Sequence, residues 1–354
     1  MKLNVSIEKS TDRYEVIIRG GLVKNLSEEI KKVYNGKRIS VITDENIYEL
    51  YGAMLQNSLN EQFDVSFIVI KPGESSKTLS ALEYVYTKLS EYNMQRNDLI
   101  IAFGGGVAGD LAGFAASTYL RGIDYVQVPT SLISQTDSCI GGKTAINLTQ
   151  GKNLAGSFYH PKAVLIDTDF LLTLSDKCIR DGMGEIIKYA CIKDLSLFQI
   201  LMNTKSKQEL FEYIEEIVHK CLSIKKQLIE SDEKDKGMRM LLNFGHTIGH
   251  AIEKYSGFRI SHGEAVSAGM LIITKNSERA GYTEKGTYAK LKAVSDNFSI
   301  QYDLHDYNEE KIKKYILSDK KNSNDNINLI LLKKIGESFI LNVPINEIDK
   351  FIAL

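Results

Sequence analysis

Between positions 38 and 128, short β-rich runs alternate with helical stretches, and this alternation constrains the fold more than any other feature of the chain. Arg38–Thr43 is the first run; it ends at Asp44 and is followed by helical residues from Glu45 to Leu55. Phe63–Ile70 is the second. Pro72-Gly73 breaks it, and Leu79, Leu82, Val85, Tyr86 and Leu89 then recur at helical spacing. Asp98–Phe103 and Tyr125–Val128 flank the helical Leu111–Ala116, and Ala163–Ile166 closes the series. Such alternation predicts a mostly parallel, doubly wound sheet. Lys2–Ile7 and Tyr14–Ile18 alternate polar and apolar residues as a hairpin does. From about Asp176 the apolar spacing becomes helical, with Leu210–Ile229 reading as one long amphipathic helix, Ser231–Lys236 as a charged linker, and Asn326–Leu332 with Phe339–Val343 as a closing hairpin. The expected organisation is an α/β Rossmann-like domain over 1–170 and a mainly α-helical domain over 171–354.

Charge and composition exclude several functions. A net charge of −1 and a pI near 6.6 offer no bulk attraction to nucleic acid or a membrane surface. No apolar stretch approaches the ~20 residues that span a bilayer. The amino terminus lacks a signal peptide's hydrophobic region, and Cys139, Cys178, Cys191 and Cys221 show no CxxC spacing. These features predict a cytoplasmic protein with reduced thiols and neither a nucleic-acid nor a membrane partner.

The loop after the third run, Gly104-Gly-Gly-Val-Ala-Gly-Asp110, satisfies G-x-G-x-x-G between a strand and a helix. Glycines there let a backbone approach a pyrophosphate, which the following helix amino terminus stabilises. A tight turn is the competing explanation. The acidic partner usually found about 20 positions on is not matched, because Asp124 comes early; Asp44, at another strand end, is the better ribose ligand. Downstream, Gly141-Gly-Lys-Thr144 resembles the end of a P-loop, but position 137 is Asp where the opening glycine belongs, which excludes a nucleoside triphosphatase. Lys143, Lys152 and Arg121 remain as cations able to gather around an anionic small molecule or to be solvated.

Three of the six histidines, His246, His250 and His262, lie between positions 246 and 262. His246 and His250 are four apart in a stretch whose apolar residues, Leu241 to Ile252, suit a helix, so their rings share a face. Arg239 and Asn243, seven and three residues before His246, fall near that same face. Gly245 and Gly249 each precede a histidine, which suggests a close backbone approach, since an interior helical glycine costs about 1 kcal/mol. His262-Gly-Glu264 opens a second helical run. Converging imidazoles with a carboxylate suit a borderline divalent ion such as zinc. Glu185 is a candidate carboxylate from another helix. It sits three residues from Lys188, and glycines precede it at 182 and 184; the pair also reads as an ordinary surface ion pair. Lys225, on the buried stripe of the long helix, either snorkels outward or reaches a buried anion.

Together these residues resemble the 3-dehydroquinate synthase family of sugar phosphate cyclases. The resemblance runs through Pro72–Lys77, Gly104–Gly113, Tyr119–Gly122, Val128–Ser131, Asp137–Lys143, Gly151–Asn153, Asp167–Leu174, Gly184–Tyr189, Leu241–His250 and His262–Glu264. It implies an NAD-binding α/β domain, a helical domain, and a site in the cleft between them. It implies conversion of 3-deoxy-D-arabino-heptulosonate 7-phosphate to 3-dehydroquinate and phosphate, by transient oxidation, phosphate elimination, re-reduction and aldol closure. By this resemblance the divalent ion, zinc or cobalt, is held by Glu185, His246 and His262; the spacing alone would have paired His246 with His250. His250, Lys152, Lys188, Asn243 and Asp137 fall at catalytic positions, and Lys143, Lys152, Lys225 and Arg239 bind substrate. Arg121 is offered across a homodimer interface. The cofactor positions are Asp44, Pro72, Gly73, Glu74, Ser75, Ser76, Lys77, Gly106, Val107, Ala108, Gly109, Asp110, Thr130, Ser131, Lys143, Lys152, Phe170, Leu171, Leu172 and Thr173. Leu174–Gly182 departs from the family's Leu-Pro and Arg-Glu pattern, so the approach to Glu185 is expected to differ in shape. A metal-dependent polyol dehydrogenase, another cyclase of the superfamily and a non-enzymatic metal protein are the alternative readings; the many cations argue against the first, because a neutral polyol needs none.

Overall fold

Valine, isoleucine and phenylalanine fill the strands of a seven-stranded sheet in the computed structural model, which describes residues 1–6, 13–233, 235, 237–300, 308–319 and 326–353. Ile7, at the end of the expected first strand, and Lys234 and Lys236 of the charged linker lie outside those residues. The chain divides into two compact units, Met1–Leu174 and Ser175–Leu354, a boundary slightly later than the expected 170/171.

In the first unit the elements are β1 (Lys2–Ser6), β2 (Arg13–Ile18), α1 (Leu26–Lys31), β3 (Arg38–Asp44), α2 (Glu45–Asn60), β4 (Asp64–Ile70), α3 (Leu79–Glu91), β5 (Leu99–Gly104), α4 (Gly106–Thr118), β6 (Asp124–Pro129), β7 (Lys143–Leu148), β8 (Gly151–Phe158) and β9 (Ala163–Ile166). The sheet order is β1-β2-β9-β6-β5-β3-β4, parallel except for the β1–β2 hairpin. Alternate residues of β3 and β5 face opposite layers. Ile39, Val41, Leu99 and Ile101 pack with α1 and α2, whereas Ile42, Ile100 and Ala102 pack with α3 and α4. Burial on both faces explains why these strands read as continuous apolar runs. The chain runs outward from β3 to β4 and returns on the other side at β5, so the strand order reverses between β3 and β5. Ligands of such sheets bind beyond the carboxyl ends of the strands at that reversal. Asp44 and Gly104 stand there.

One element of this unit was not foreseen. Lys143 and Lys152, expected in a glycine-rich loop, belong to the antiparallel hairpin β7–β8, where Lys143 pairs with Phe158 and Leu148 with Gly151. Glycine is needed inside this hairpin at Gly156, where a Cβ would lie 2.2 Å from the Thr144 carbonyl oxygen.

The second unit comprises α5 (Asp176–Lys193), α6 (Leu195–Asn203), α7 (Lys207–Glu212), α8 (Ile214–Ser231), α9 (His246–Tyr255), α10 (His262–Arg279), α11 (Thr287–Asn297), α12 (Glu309–Asp319), the hairpin β10 (Asn326–Lys334) and β11 (Glu337–Pro344), and α13 (Asp349–Ile352). The expected single helix over Leu210–Ile229 is two helices that meet at Tyr213. α5 is its centre: every residue from Gly182 to Ile192 is buried. α9 and α10 pack on each other, and α10 packs on α5, through glycines. A Cβ on Gly184 would meet the Gly263 carbonyl oxygen at 2.3 Å, and one on Gly249 would meet that of Ala265 at 3.0 Å. What approaches the glycines beside the histidines is therefore α10. Gly245, with φ +80, ends a 3-10 turn over Met238–Asn243 and starts α9. Leu241–Ile252 is thus not one helix, and the helical-face relation of Arg239 and Asn243 to His246 does not hold.

Candidate functional site

Three helices bring the predicted metal residues together. Glu185 comes from the buried centre of α5, His246 from the first turn of α9 and His262 from the first turn of α10. Glu185 Oε1 lies 3.3 Å from Nε2 of His246 and 3.3 Å from Nε2 of His262. That oxygen is buried and makes no hydrogen bond. An orphaned carboxylate oxygen facing two imidazole nitrogens is a donor set that would suit a zinc or cobalt ion. The residues therefore fit the ion. His246 Nδ1 lies 3.2 Å from the Phe244 carbonyl oxygen, and His262 Nδ1 lies 3.1 Å from Glu253 Oε2. Each ring thus has its second nitrogen engaged, which leaves Nε2 to ligate.

Lys188 donates to the other Glu185 oxygen, Oε2. Both side chains are buried, so the pair is no surface ion pair. Burial alone would push the Glu185 carboxyl up, but Lys188 and the two imidazoles hold it well below the usual carboxylate range. Burial lowers His262, yet Glu185 and Glu253 outweigh it and raise the imidazole to about 10. His250 is exposed, with its ring centre 5.3 Å from that of His246 and 5.8 Å from that of His262. Lys225 and Arg239 are also buried, at 7% and 2% exposure, so Lys225 does not snorkel. Asp232 Oδ2 accepts from the Gly237 and Arg239 backbone N–H groups and shapes the turn that carries Arg239. Asn243, at the end of that turn, is exposed. Lys188, Lys225 and Arg239 are thus three buried cations within one helical unit.

In the first unit, the helix after the glycine loop begins at Gly106, earlier than the expected Leu111; the Gly109 N–H already donates to the Gly105 carbonyl at 3.0 Å, so the N–H groups ahead of the helical ladder are those of Gly106, Val107 and Ala108. Gly104 takes φ +155, and a Cβ there would lie 2.8 Å from Ala108 Cβ and 3.6 Å from Asp44 Oδ2. Asp44 caps α2 by accepting from Asn46 and Ile47 N–H groups. Asp124 stands at the opposite end of its strand, paired with Lys162 at 3.4 Å. Thr130 N–H donates to the Gly104 carbonyl at 2.9 Å, and Ser131 Oγ bonds Ser134 Oγ at 2.9 Å. Lys77 is buried and donates to Asp110 Oδ2 and Asn153 Oδ1, each at 2.6 Å, so it ties the Pro72–Lys77 turn and α4 to the β7–β8 hairpin. Glu74 Oε1 accepts from Asn147 at 2.7 Å. Ser75 and Ser76 share that turn. Phe170 to Thr173 form a 3-10 turn after β9, where Phe170 stacks edge-on against Tyr51 and Leu172 is exposed.

Asp137 lies in a π-helical turn over Ser134–Ser138. Lys143 and Lys152 project from one exposed face of the hairpin with Leu154 and Phe158, but from its two ends: Lys143 is opposite Phe158, about 20 Å along β8 from Lys152. Arg121 occupies a separate exposed turn at φ +67, between Leu120 at φ +52 and Gly122 at φ +122.

Glu253 and Asp181 were missed from the sequence. Glu253 lies seven residues after His246 and three after His250, a spacing that keeps it on their helical face and could have flagged it. Asp181 Oδ1 accepts from the Gly263 N–H at 2.6 Å and docks the start of α10, a contact between distant segments that leaves no local signal.

Residues 67–181 match the family model for the 3-dehydroquinate synthase N-terminal region, and residues 182–322 match that for its C-terminal region. The chain belongs to the 3-dehydroquinate synthase family. A 3-dehydroquinate synthase of Clostridium botulinum (strain Alaska E43 / Type E3) is 51% identical over 334 residues, 94% of this chain and 95% of its own. Among solved structures, 2-deoxy-scyllo-inosose synthase complexed with carbaglucose-6-phosphate, NAD+ and Co2+ shares the fold, with a TM-score of 0.89 at 23% identity over 100% of both chains. The 2-epi-5-epi-valiolone synthase from Streptomyces hygroscopicus subsp. jinggangensis 5008, with NAD+ and Zn2+ bound, gives 0.87 at 26% identity over 98% of this chain and 97% of its own.

Proposed function

We propose that this protein is a 3-dehydroquinate synthase, a lyase that converts 3-deoxy-D-arabino-heptulosonate 7-phosphate to 3-dehydroquinate and phosphate, with NAD and a zinc or cobalt ion. The observation that carries the proposal is the buried Glu185 oxygen facing His246 and His262, within a unit that also buries Lys188, Lys225 and Arg239. When bound, NAD supplies a hydride acceptor restored within each turnover, and the ion supplies Lewis acidity at a substrate hydroxyl.

The chain's own residues do the rest. Glu185, His246 and His262 hold the ion. Asp44, the Pro72–Lys77 turn, Gly106–Asp110, Thr130, Ser131 and the Phe170–Thr173 turn hold the dinucleotide. Lys143, Lys152, Lys225 and Arg239 bind the carboxylate and phosphate of the substrate, where a charge-assisted contact is stronger than a neutral one. His250 moves a proton at its imidazole, and Asp137, Lys188 and Asn243 orient the reacting hydroxyls. A homodimer in which Arg121 serves the partner subunit, working in the cytoplasm, completes the proposal. Among the described residues no helix is long and apolar enough to cross a membrane.

Phosphate release from the heptulosonate phosphate tests the activity directly. Turnover is expected to require bound NAD while absorbance at the NADH band stays flat in the steady state. NADH accumulating without phosphate would replace this reading with a dehydrogenase.

Lys152 separates the cation role from folding, because it is exposed on β8. Lys152→Ala should remove a contact of ~1.5–3 kcal/mol and lower kcat/KM about 10- to 150-fold, with melting temperature and metal content as in wild type. A solvated lysine would change kcat/KM by less than about twofold. Kinetics unchanged in the variant would remove Lys152 from the site.

A further inference from the structure

We propose that Glu253 is a positioning residue, which fixes His262 as a ligand through Nε2. The inference deepens the metal reading above and rests on it. Glu253 sits on α9 with its side chain only 8% exposed, and Oε2 lies 3.1 Å from His262 Nδ1. The opposite nitrogen of the same ring faces Glu185 Oε1 at 3.3 Å. An imidazole between two carboxylates keeps one proton once an ion takes its other nitrogen. The proton stays on Nδ1 toward Glu253, and Nε2 offers its lone pair toward Glu185.

The two ligand rings are secured differently. His246 is 13% exposed and turns Nδ1 to a neutral carbonyl, that of Phe244. His262 is 31% exposed and turns Nδ1 to a buried carboxylate. The more open ring thus has the charged partner, which both restrains its rotation and strengthens the donor nitrogen. Glu253 is itself anchored, since its carbonyl accepts from Phe258 N–H at 2.9 Å and from Ser256 Oγ at 2.8 Å at the end of α9. The donor atoms of His250, Glu253 and His262 also fall within 4.8 Å of one another. Occupation of that set would place Nδ1 on a second ion instead of on Glu253, and the test distinguishes the two.

The experiment titrates chelator-stripped, full-length protein with Zn²⁺ against a chromogenic chelator, without NAD or substrate. Wild type should take one ion per chain. Glu253→Gln, which keeps the side-chain volume, should bind it roughly 10- to 100-fold more weakly, with the melting temperature of the metal-free protein unchanged. Wild-type affinity in Glu253→Gln, or a second ion per wild-type chain that the variant loses, would overturn the inference. A wild-type protein that takes no ion would overturn the metal reading itself. A measurement needing no variant is ¹⁵N-histidine NMR of the zinc-loaded wild type. His262 should show a protonated Nδ1 and a ligated Nε2, and the reverse tautomer would exclude the role.

Discussion

Removal of the divalent ion should slow phosphate release by at least about 10³-fold, equivalent to ~4 kcal/mol of lost transition-state stabilisation. Glu185 Oε1 is a buried carboxylate oxygen that makes no hydrogen bond and faces two ring nitrogens. Native helices do not ordinarily bring such an atom to that position without a partner for it. Prolonged chelation should empty the site, and added zinc or cobalt should restore turnover. His246→Ala should reproduce the loss with the fold intact. Glu185 would still have Lys188 and His262 beside it, so no buried charge is stranded, and ion content should fall from about one per chain toward zero. The corresponding Glu185→Ala is the poorer test, because it removes one member of the buried Glu185–Lys188 pair, which costs ~3–5 kcal/mol. Elemental analysis beside steady-state phosphate release decides the matter. Full activity in metal-free protein would end the assignment of Glu185, His246 and His262.

The second large effect is expected at Gly263. A Cβ there would lie 1.8 Å from the Asp181 carbonyl oxygen and 3.0 Å from Asp181 Cα, both backbone atoms that no rotamer change can move. Gly263→Ala should force the start of α10 away from α5 and draw His262 from Glu185. Overpacking against backbone should cost ~3 kcal/mol, which lowers the melting temperature by roughly 6–12 °C in a unit of this size, and ion content should drop with it. Gly257→Ala is the control: its φ is +61 but nothing lies within 4 Å of a new Cβ, so it should cost only ~1–2 kcal/mol of backbone strain and leave the ion in place. A wild-type melting curve and full ion content in Gly263→Ala would show that the helices can separate without disturbing the site.

Where burial is periodic, the sequence was legible. β3, β5, β6 and β9 carry runs of apolar residues because both faces of the sheet are covered, and α3 shows its stripe because only one face is. The glycine loop could be placed because it follows a strand and precedes a helix. Elements that depend on a local break were harder. Tyr213 divides a stretch whose apolar spacing continues across it, and Gly245 takes a left-handed conformation within a stretch that otherwise reads as helix. The β7–β8 hairpin was hidden because its exposed face carries Lys143, Lys152 and Asn147, residues that read as loop.

By itself the sequence determined the alternation of strand and helix, and it showed which residue types could serve a metal ion or an anion. Those follow from spacing and residue type, properties fixed by the local chain. Only tertiary structure decided which histidines meet Glu185. Helical spacing favours His246 with His250, which share α9, but Glu185 and His262 arrive on other helices, brought within reach by backbone contacts at Gly184, Gly249 and Gly263. Tertiary structure also turned the Glu185–Lys188 pair from a surface feature into a buried one. Three-residue spacing says that two side chains are neighbours, and it does not say whether other helices exclude water from them.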